Sequence, residues 1–147
     1  MHCPFCKHED TQVKDSRPSE DGSSIRRRRY CPECESRFTT FERVQLRELT
    51  VLKSNNEKRV FDRDKIARSM AIALRKRPVD ADKVEMAINR IVQKLESEGE
   101  SDIPTQRIGA LVMAELKKMD AVAYIRYASV YRDFSDAGDF ESFVEKL

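Results

Sequence analysis

The chain has 147 residues with a formal net charge of +2, and 39% of its side chains are hydrophobic while 37% are charged. That length suffices for one average domain or two small ones, and so small a net charge does not identify a partner. The longest unbroken apolar runs, such as MAIAL and AVAYI, have five residues. This excludes a membrane span and the apolar core of a secretory signal, and it predicts a cytoplasmic protein.

The cysteines all lie in the first 34 residues, where Cys3 and Cys6 form one Cys-x-x-Cys pair and Cys31 and Cys34 form a second. Disulfides are not expected without a secretory signal, and a redox site needs only one such pair. Two pairs provide four thiolates, which is a complete tetrahedral ligand set for zinc. The spacing therefore predicts one Zn²⁺ per chain.

The first 45 residues or so show no helical periodicity. The segments TQVKD, SIRRRRY and SRFTTFERV are typical of strands, and SRPSEDGSS is rich in turn residues. Together with the two cysteine pairs they predict a zinc ribbon, a small three-stranded β-sheet that metal holds at one end. Its core is thin, with Phe5, Phe38 and Phe41 as its main apolar side chains.

Four consecutive arginines, Arg26, Arg27, Arg28 and Arg29, lead directly into the second cysteine pair. Neighbouring guanidinium groups repel one another, so either an anionic partner or plain solvent must face them. On a strand successive side chains point to opposite faces. We therefore expect Arg26 and Arg28 on one face and Arg27 and Arg29 on the other.

The second part of the chain opens with LTVLKSNNEKRVF, which predicts two short strands around a polar turn at residues 54–57. Apolar residues then recur at helical spacing in four segments. We predict that these helices begin at Asp62, Asp80, Pro104 and Asp120, and that the last one ends near Phe134. A hairpin and about four helices form a second domain, so the fold class is α+β.

The last eight residues, FESFVEKL, follow a break that we predict at Gly138. Phe140, Phe143, Val144 and Leu147 fall on one helical face. This amphipathic tail either folds back on its own domain or contacts another subunit.

Motifs of catalysis are missing from the sequence. With four glycines the chain contains no phosphate-binding glycine loop, and its two histidines, His2 and His8, both lie near the first cysteine pair. Neither a nucleophile with its base nor a metalloprotease motif can be assembled. The sequence therefore predicts a protein that is not an enzyme.

Two lysines nevertheless favour phosphate binding. Lys53 ends the first strand of the hairpin, and Lys65 lies in the first turn of the next helix. A cation is unfavourable at that end of a helix, whose dipole favours anions. A phosphate between the two lysines would explain the placement, whereas the alternative is that both are solvated.

Three tyrosines, Tyr124, Tyr127 and Tyr131, fall on one face of the predicted fourth helix. Their rings and hydroxyls suit a base, a ribose or a phosphate. The same stripe is equally consistent with the edge of a hydrophobic core.

Several motifs resemble one family along nearly the whole chain. MHCPFC, SSIRRRRYCPEC, RFTTFE, VLKS, FDRDKI, RPV, VEMAIN and VAYIRYASVYRDF closely resemble NrdR, the bacterial transcriptional repressors of ribonucleotide reductase genes. The resemblance implies a DNA-binding zinc ribbon at residues 1–46 and an ATP-cone that binds ATP and dATP at residues 49–139. The amphipathic tail would then occupy residues 140–147.

The resemblance also implies roles for individual residues. It implies that Cys3, Cys6, Cys31 and Cys34 are the zinc ligands. It implies that Lys53 and Lys65 contact the nucleotide phosphates and that Tyr127 and Tyr131 line that pocket. Many cones carry Lys-Arg-Asp-Gly at the hairpin turn, whereas this chain has KSNN, so the arginine and the glycine of that motif are missing.

The function that the resemblance implies is a nucleotide-responsive repressor. Double-stranded DNA with paired operator boxes would be its partner, and ATP or dATP would control how a homo-oligomer assembles. We expect DNA contacts from Arg17, in the tip loop, and from Arg26, Arg27, Arg28 and Arg29. The alternatives are an accessory protein that regulates a reductase by direct contact, and a ribbon that binds RNA.

Overall fold

The computed structural model describes residues 1–44 and 48–147. The chain divides into two compact units, Met1–Gln45 and Leu46–Leu147. The first contains strands and the second both helices and strands, so the predicted α+β class is confirmed.

The first unit is a three-stranded antiparallel sheet in the order β1-β2-β3, formed by Gln12–Pro18, Ser24–Tyr30 and Arg37–Arg43. All three predicted strands are confirmed. The register of β1 against β2 shifts from Val13 to Asp15, which indicates a β-bulge.

The interior of this unit is small. Among its described residues, Cys3, Cys31 and Ser24 are buried, and Phe38 and Phe41 are half-buried. The prediction that Phe5 belongs to the core is wrong, because Phe5 stays 64% exposed although its ring meets Phe38 edge-on at 6.5 Å. With so little apolar burial, we expect the fold of this unit to depend on a bound metal ion.

The second unit begins with the predicted hairpin, in which β4 (Thr50–Leu52) pairs antiparallel with β5 (Lys58–Val60). A third strand, β6 (Asp102–Pro104), pairs parallel with β4 and gives the order β5-β4-β6. Strand β6 was not predicted, because a single buried apolar residue, Ile103, lies in a segment rich in turn residues.

The helices of this unit are α1 (Arg63–Ala73), α2 (Ala81–Ser97), α3 (Thr105–Met119), α4 (Ala121–Tyr131) and α5 (Ala137–Val144). The four predicted helices are confirmed. Caps at Asp62, Asp80 and Asp120 each accept a hydrogen bond from a backbone N–H of the first turn. Helix α4 ends earlier than the predicted Phe134, since Asp133 adopts a left-handed backbone with φ of 54°.

The core of the second unit lies between its helices. Its largest fully buried side chains are Met70, Ile88, Ile91, Leu95, Val112 and Leu116. They lie on α1, α2 and α3, three of the segments in which apolar residues recur at helical spacing. None of the described helices is both long enough and apolar enough to span a membrane.

The predicted tail is helical but begins earlier. Gly138 lies inside helix α5 and does not break the chain, because Asp136 and Asp139 form a capping box around the helix start. Phe143 is buried, and its ring lies 5.4 Å from those of Tyr124 and Phe134. The tail thus packs on its own unit, which is the first of the two arrangements expected from the sequence.

Candidate metal centre, nucleic-acid surface and nucleotide cavity

The four cysteine Sγ atoms form one cluster in which all lie within 4.8 Å of one another. The Sγ–Sγ distance is 3.6 Å both for Cys3 and Cys34 and for Cys6 and Cys31. Tetrahedral zinc with Zn–S bonds of about 2.3 Å requires sulfur atoms about 3.8 Å apart, whereas a disulfide requires about 2.05 Å. The cluster is therefore positioned to bind one metal ion and fits zinc.

Two similar turns position these thiols. Each Cys-x-x-Cys is followed by a residue with positive φ, Lys7 at 65° and Glu35 at 55°. The N–H of Cys3 donates to the carbonyl of His8 at 2.8 Å, and that of Cys31 donates to Ser36 at 2.9 Å. The repeated sequence thus folds twice into the same local geometry.

The arginine tetrapeptide occupies the central strand, and Arg27 and Arg29 bond to side chains of their own chain. Arg27 forms an ion pair with Glu42 at 2.7 Å. Arg29 donates to the hydroxyl of Thr40 at 3.1 Å and to that of Thr11 at 3.4 Å. These two arginines therefore tie β2 to its surroundings on one face of the sheet.

Arg28 belongs to the opposite face. It is exposed, and its register partners are Asp15 on β1 and Thr39 on β3. Asp15, Arg28 and Thr39 line an open concavity together with Lys14, Tyr30 and Arg37, and with Arg29 and Phe38 of the other face. Several of these side chains are cationic, so the concavity has the charge that an anionic polymer requires.

Arg17 does not lie in the tip loop, and that part of the prediction is wrong. It is a residue of β1 and pairs in register with Arg26, because β1 continues to Pro18. Its side chain is 75% exposed and forms an ion pair with Asp15 at 3.0 Å. Arg17 thus extends the face that carries Arg26 and Arg28.

In the second unit, one cavity of about 260 Å³ is lined by all four residues expected to contact the nucleotide: Lys53, Lys65, Tyr127 and Tyr131. The sequence places them in three separate segments, and the fold brings them together between the hairpin and helices α1, α3 and α4. The other lining residues are Val51, Arg59, Val60, Phe61, Asp62, Ile66, Ser69, Thr105, Ile108, Gly109 and Val112.

The hairpin side of the cavity is cationic. Lys53 Nζ lies 3.8 Å from a carboxylate oxygen of Glu57, and Arg59 lies 2.8 Å from the same carboxylate. Lys65 is exposed in the first turn of α1. These side chains place positive charge where phosphate groups would be stabilised.

The two helix N-termini near the cavity differ. Asp62 caps α1 by accepting from the N–H of Asp64 at 2.9 Å, so the chain already supplies an anion there. Helix α3 begins at Thr105 after Pro104 and has no side-chain cap. The Thr105 hydroxyl instead donates to the carbonyl of Leu52 at 3.1 Å, which ties α3 to the hairpin.

The other side of the cavity is aromatic. The rings of Tyr127 and Tyr131 stack at 5.9 Å with 20° between their planes. Burial raises the pKa of Tyr127 above its usual value, so its hydroxyl stays protonated at neutral pH. Tyr124 of the same stripe is not among the lining residues and packs in the core against Phe143.

Sequence reasoning missed three of the lining residues: Arg59, Thr105 and Gly109. Arg59 gave no signal beyond strand alternation with its neighbours. A lone glycine inside a helical pattern does indicate close packing, and Gly109 could have been found in that way.

Comparison with known proteins agrees with this division of the chain. A family model described as the N-terminal domain of NrdR-like transcriptional repressors matches residues 1–42, and an ATP cone domain model matches residues 49–137. Proteins named transcriptional repressor NrdR are similar over the whole length. The one from Rhodospirillum centenum is 63% identical over 147 residues, which is 100% of this chain and 96% of the relative. Those from Phenylobacterium zucineum and Granulibacter bethesdensis are 63% and 64% identical over 144 residues, covering 98% of this chain and 93% and 92% of the relatives.

Proposed function

Because the chain belongs to the NrdR family of transcriptional repressors, we propose that it represses ribonucleotide reductase genes by binding paired operator boxes. Its zinc ribbon binds the double-stranded DNA, and ATP or dATP in the cone controls oligomerisation and therefore DNA binding. Repression is a regulatory role, and the protein is not an enzyme.

The observation that carries this proposal is a second-unit cavity with cations on one side and stacked tyrosines on the other. Lys53 and Lys65 supply charge for phosphate groups, and Tyr127 and Tyr131 supply flat surface for a base or ribose. Such a combination suits a nucleotide better than it suits either an inorganic anion or a purely apolar ligand.

The ribbon surface that we assign to DNA is the face of Arg26 and Arg28. Arg28 is exposed, and Arg17 and Arg37 extend the same face in register. Arg27 and Arg29 act as supports, since they bond to Glu42, Thr40 and Thr11. This division follows the strand alternation expected from the sequence.

The metal makes this surface rigid. Zinc bound by the four thiolates holds the start of the chain to the end of β2, where Cys31 directly follows Tyr30. The arginines are therefore presented on a fixed strand, which favours both phosphate contacts and a bidentate contact with guanine.

An oligomer is expected on physical grounds. A ribbon of about 45 residues offers the contact area of a single small module, whereas specific operators are usually bound through larger combined surfaces. Nucleotide-dependent assembly would set the spacing between ribbons and so select paired boxes. The protein would act in the cytoplasm, where bacterial genes are transcribed.

The proposal is tested with the zinc-loaded full-length chain and a labelled duplex from the promoter of a reductase operon. We expect binding that depends on ATP or dATP, a change in molar mass by light scattering when the nucleotide changes, and much weaker binding to a shuffled duplex. Wild-type protein that binds neither nucleotide nor promoter DNA would overturn the proposal. Binding to a reductase subunit without any binding to DNA would favour the accessory protein instead.

A further inference from the structure

A carboxylate of the chain itself lies at the cationic side of the cavity. Glu57 follows the hairpin turn, and its Oε1 lies 2.8 Å from Arg59 while its Oε2 lies 3.8 Å from Lys53. Lys53 and Arg59 line the cavity, whereas Glu57 does not. Two cavity cations therefore share one internal counterion.

Arg59 is well placed to be a ligand in its own right. It lies on β5 opposite Val51 of β4, another lining residue. A guanidinium presents donors in a planar fork that matches the oxygens of a phosphate. The chain lacks the arginine that many cones carry at the hairpin turn, and Arg59 brings a guanidinium to the cavity from the second strand of the same hairpin.

We propose that Arg59 is a third phosphate-binding residue of the cavity, and that the Glu57 carboxylate occupies it until a phosphate of the nucleotide takes its place. This deepens the proposed function and rests on nucleotide binding by the cone. Glu57 is then an internal competitor that lowers the affinity for nucleotide.

The geometry permits this exchange. The Glu57 and Arg59 side chains are 43% and 50% exposed, and ion pairs on a surface are weak enough to be replaced. The hydrogen bond from Arg59 lowers the pKa of Glu57, so the competitor is ionised at neutral pH. A phosphate carries more charge and more acceptor oxygens than a carboxylate, and it would form the stronger bond.

The test measures displacement of a fluorescent ATP analogue from the zinc-loaded full-length chain by ATP and by inorganic tripolyphosphate. Glu57→Gln should raise the affinity for both about two- to fivefold, the range of an exposed ion pair. Arg59→Ala should lower both by about fivefold or more, and Arg59→Lys should retain part of the binding. Adenosine, which has no phosphate, should bind the wild type and all variants with the same affinity.

Two controls separate a local effect from a general change of charge. Lys58→Ala removes a cation from the same strand. Lys58 pairs with Asp102 at 2.5 Å and does not line the cavity. Glu145→Gln removes a negative charge from the C-terminal end of α5. Both controls should bind ATP like the wild type, and melting followed by circular dichroism should show that all variants fold.

The double variant Glu57→Gln with Arg59→Ala separates competition from repulsion. If Glu57 competes for Arg59, most of the gain from Glu57→Gln should vanish when Arg59 is absent. An undiminished gain would mean that Glu57 merely repels phosphate, and it would overturn the inference. If Arg59→Ala reduced ATP binding no more than Lys58→Ala does, the inference would also be overturned. The proposed function would then remain intact. A wild type that binds no nucleotide would overturn both.

Discussion

The ring of Tyr131 lies directly against Gly109 of the neighbouring helix: a Cβ at Gly109 would stand 1.9 Å from Tyr131 Cε2. One turn earlier on α3, the carbonyl of Gln106 accepts a hydrogen bond from the Tyr131 hydroxyl at 2.8 Å. Both Gly109 and Tyr131 line the cavity that we propose binds the nucleotide. A single close contact thus sets the packing of α3 on α4 and the position of one cavity wall.

Gly109→Ala should therefore destabilise the second unit and weaken ATP binding. Alanine is favoured over glycine inside a helix by about 1 kcal/mol, but the clash forces Tyr131 out of its place. Calorimetry with ATP and thermal melting followed by circular dichroism measure the two effects. Tyr131→Phe is the matched control, because it keeps the ring and loses only the hydroxyl bond. A Gly109→Ala protein that melts higher and binds ATP normally would contradict this packing.

Zinc removal should unfold the ribbon alone. Cys31→Ser removes one of the four thiolates. Structural zinc in zinc-finger peptides contributes an apparent free energy of about 10–16 kcal/mol to folding. The thin core of the ribbon cannot replace a contribution of that size. We expect about one zinc per wild-type chain by metal analysis and a loss of DNA binding in the variant. The second unit should keep its helical signal, since its core is separate. Wild-type protein purified without chelators and found free of zinc would disprove the site.

Lys53→Ala and Lys65→Ala should each weaken ATP and dATP binding by about 1.5–3 kcal/mol, the range for a hydrogen bond to a charged group. Neither lysine belongs to the buried core, so stability should hardly change. Calorimetry on the two variants tests this, with Lys58→Ala as the control. Wild-type affinity in both variants would mean that the lysines are simply solvated.

Periodicity and capping predicted most of the fold because the strongest signals are local. Asp62, Asp80 and Asp120 each cap a helix as their positions predict. Strand β6 was missed because its pairing with β4 joins residues 52 positions apart, such as Thr50 and Asp102, and buries little more than Ile103. The break predicted at Gly138 failed because the capping box of Asp136 and Asp139 outweighs the low helix propensity of one glycine.

The site could be predicted only in part. Lysines and tyrosines carry chemistry that a sequence shows, whereas a cavity is a property of the packed chain. Arg59 faces the cavity and Lys58 does not, a difference that depends on register and not on residue type. The arginine alternation was predictable, but the contacts of Arg27 with Glu42 and of Arg29 with Thr40 were not.

Asp120 should make stability depend on pH in a defined direction. Hydrogen bonding from the Ala123 N–H, and then the bond with Arg77, hold the pKa of Asp120 below its usual value. A lowered pKa in the folded state means that Asp120 contributes stability above its unfolded pKa of about 3.9, and that this contribution is lost as the pH falls through the folded value.

Asp120→Asn should therefore lower the free energy of unfolding at pH 7, and the difference from the wild type should shrink toward pH 3. Urea unfolding followed by helical circular dichroism reports on the second unit, because all described helices lie there. An equal difference at both pH values would show that the charge of Asp120 does not matter. Asp133→Asn, an exposed position beyond the C-terminal end of α4, is the control.

The four arginines of β2 should differ when each is replaced by alanine. We expect Arg26→Ala and Arg28→Ala to lose operator affinity, because their face of the sheet carries the exposed Arg28 and, in register, Arg17 and Arg37. A residue that contacts only phosphate should weaken all duplexes alike and lower the salt slope by about one. A residue that contacts a base should cost about 1–3 kcal/mol and relax the preference at one position.

Arg27→Ala and Arg29→Ala are the internal controls for this series. They lose the bonds to Glu42, Thr40 and Thr11, so they should affect the melting of the ribbon more than the salt slope of DNA binding. Zinc content should be unchanged in all four, since no arginine is a ligand. Larger losses at Arg27 and Arg29 in folded, zinc-loaded protein would place DNA on the opposite face. Wild-type binding by all four variants at every salt concentration would mean that solvent alone faces this strand.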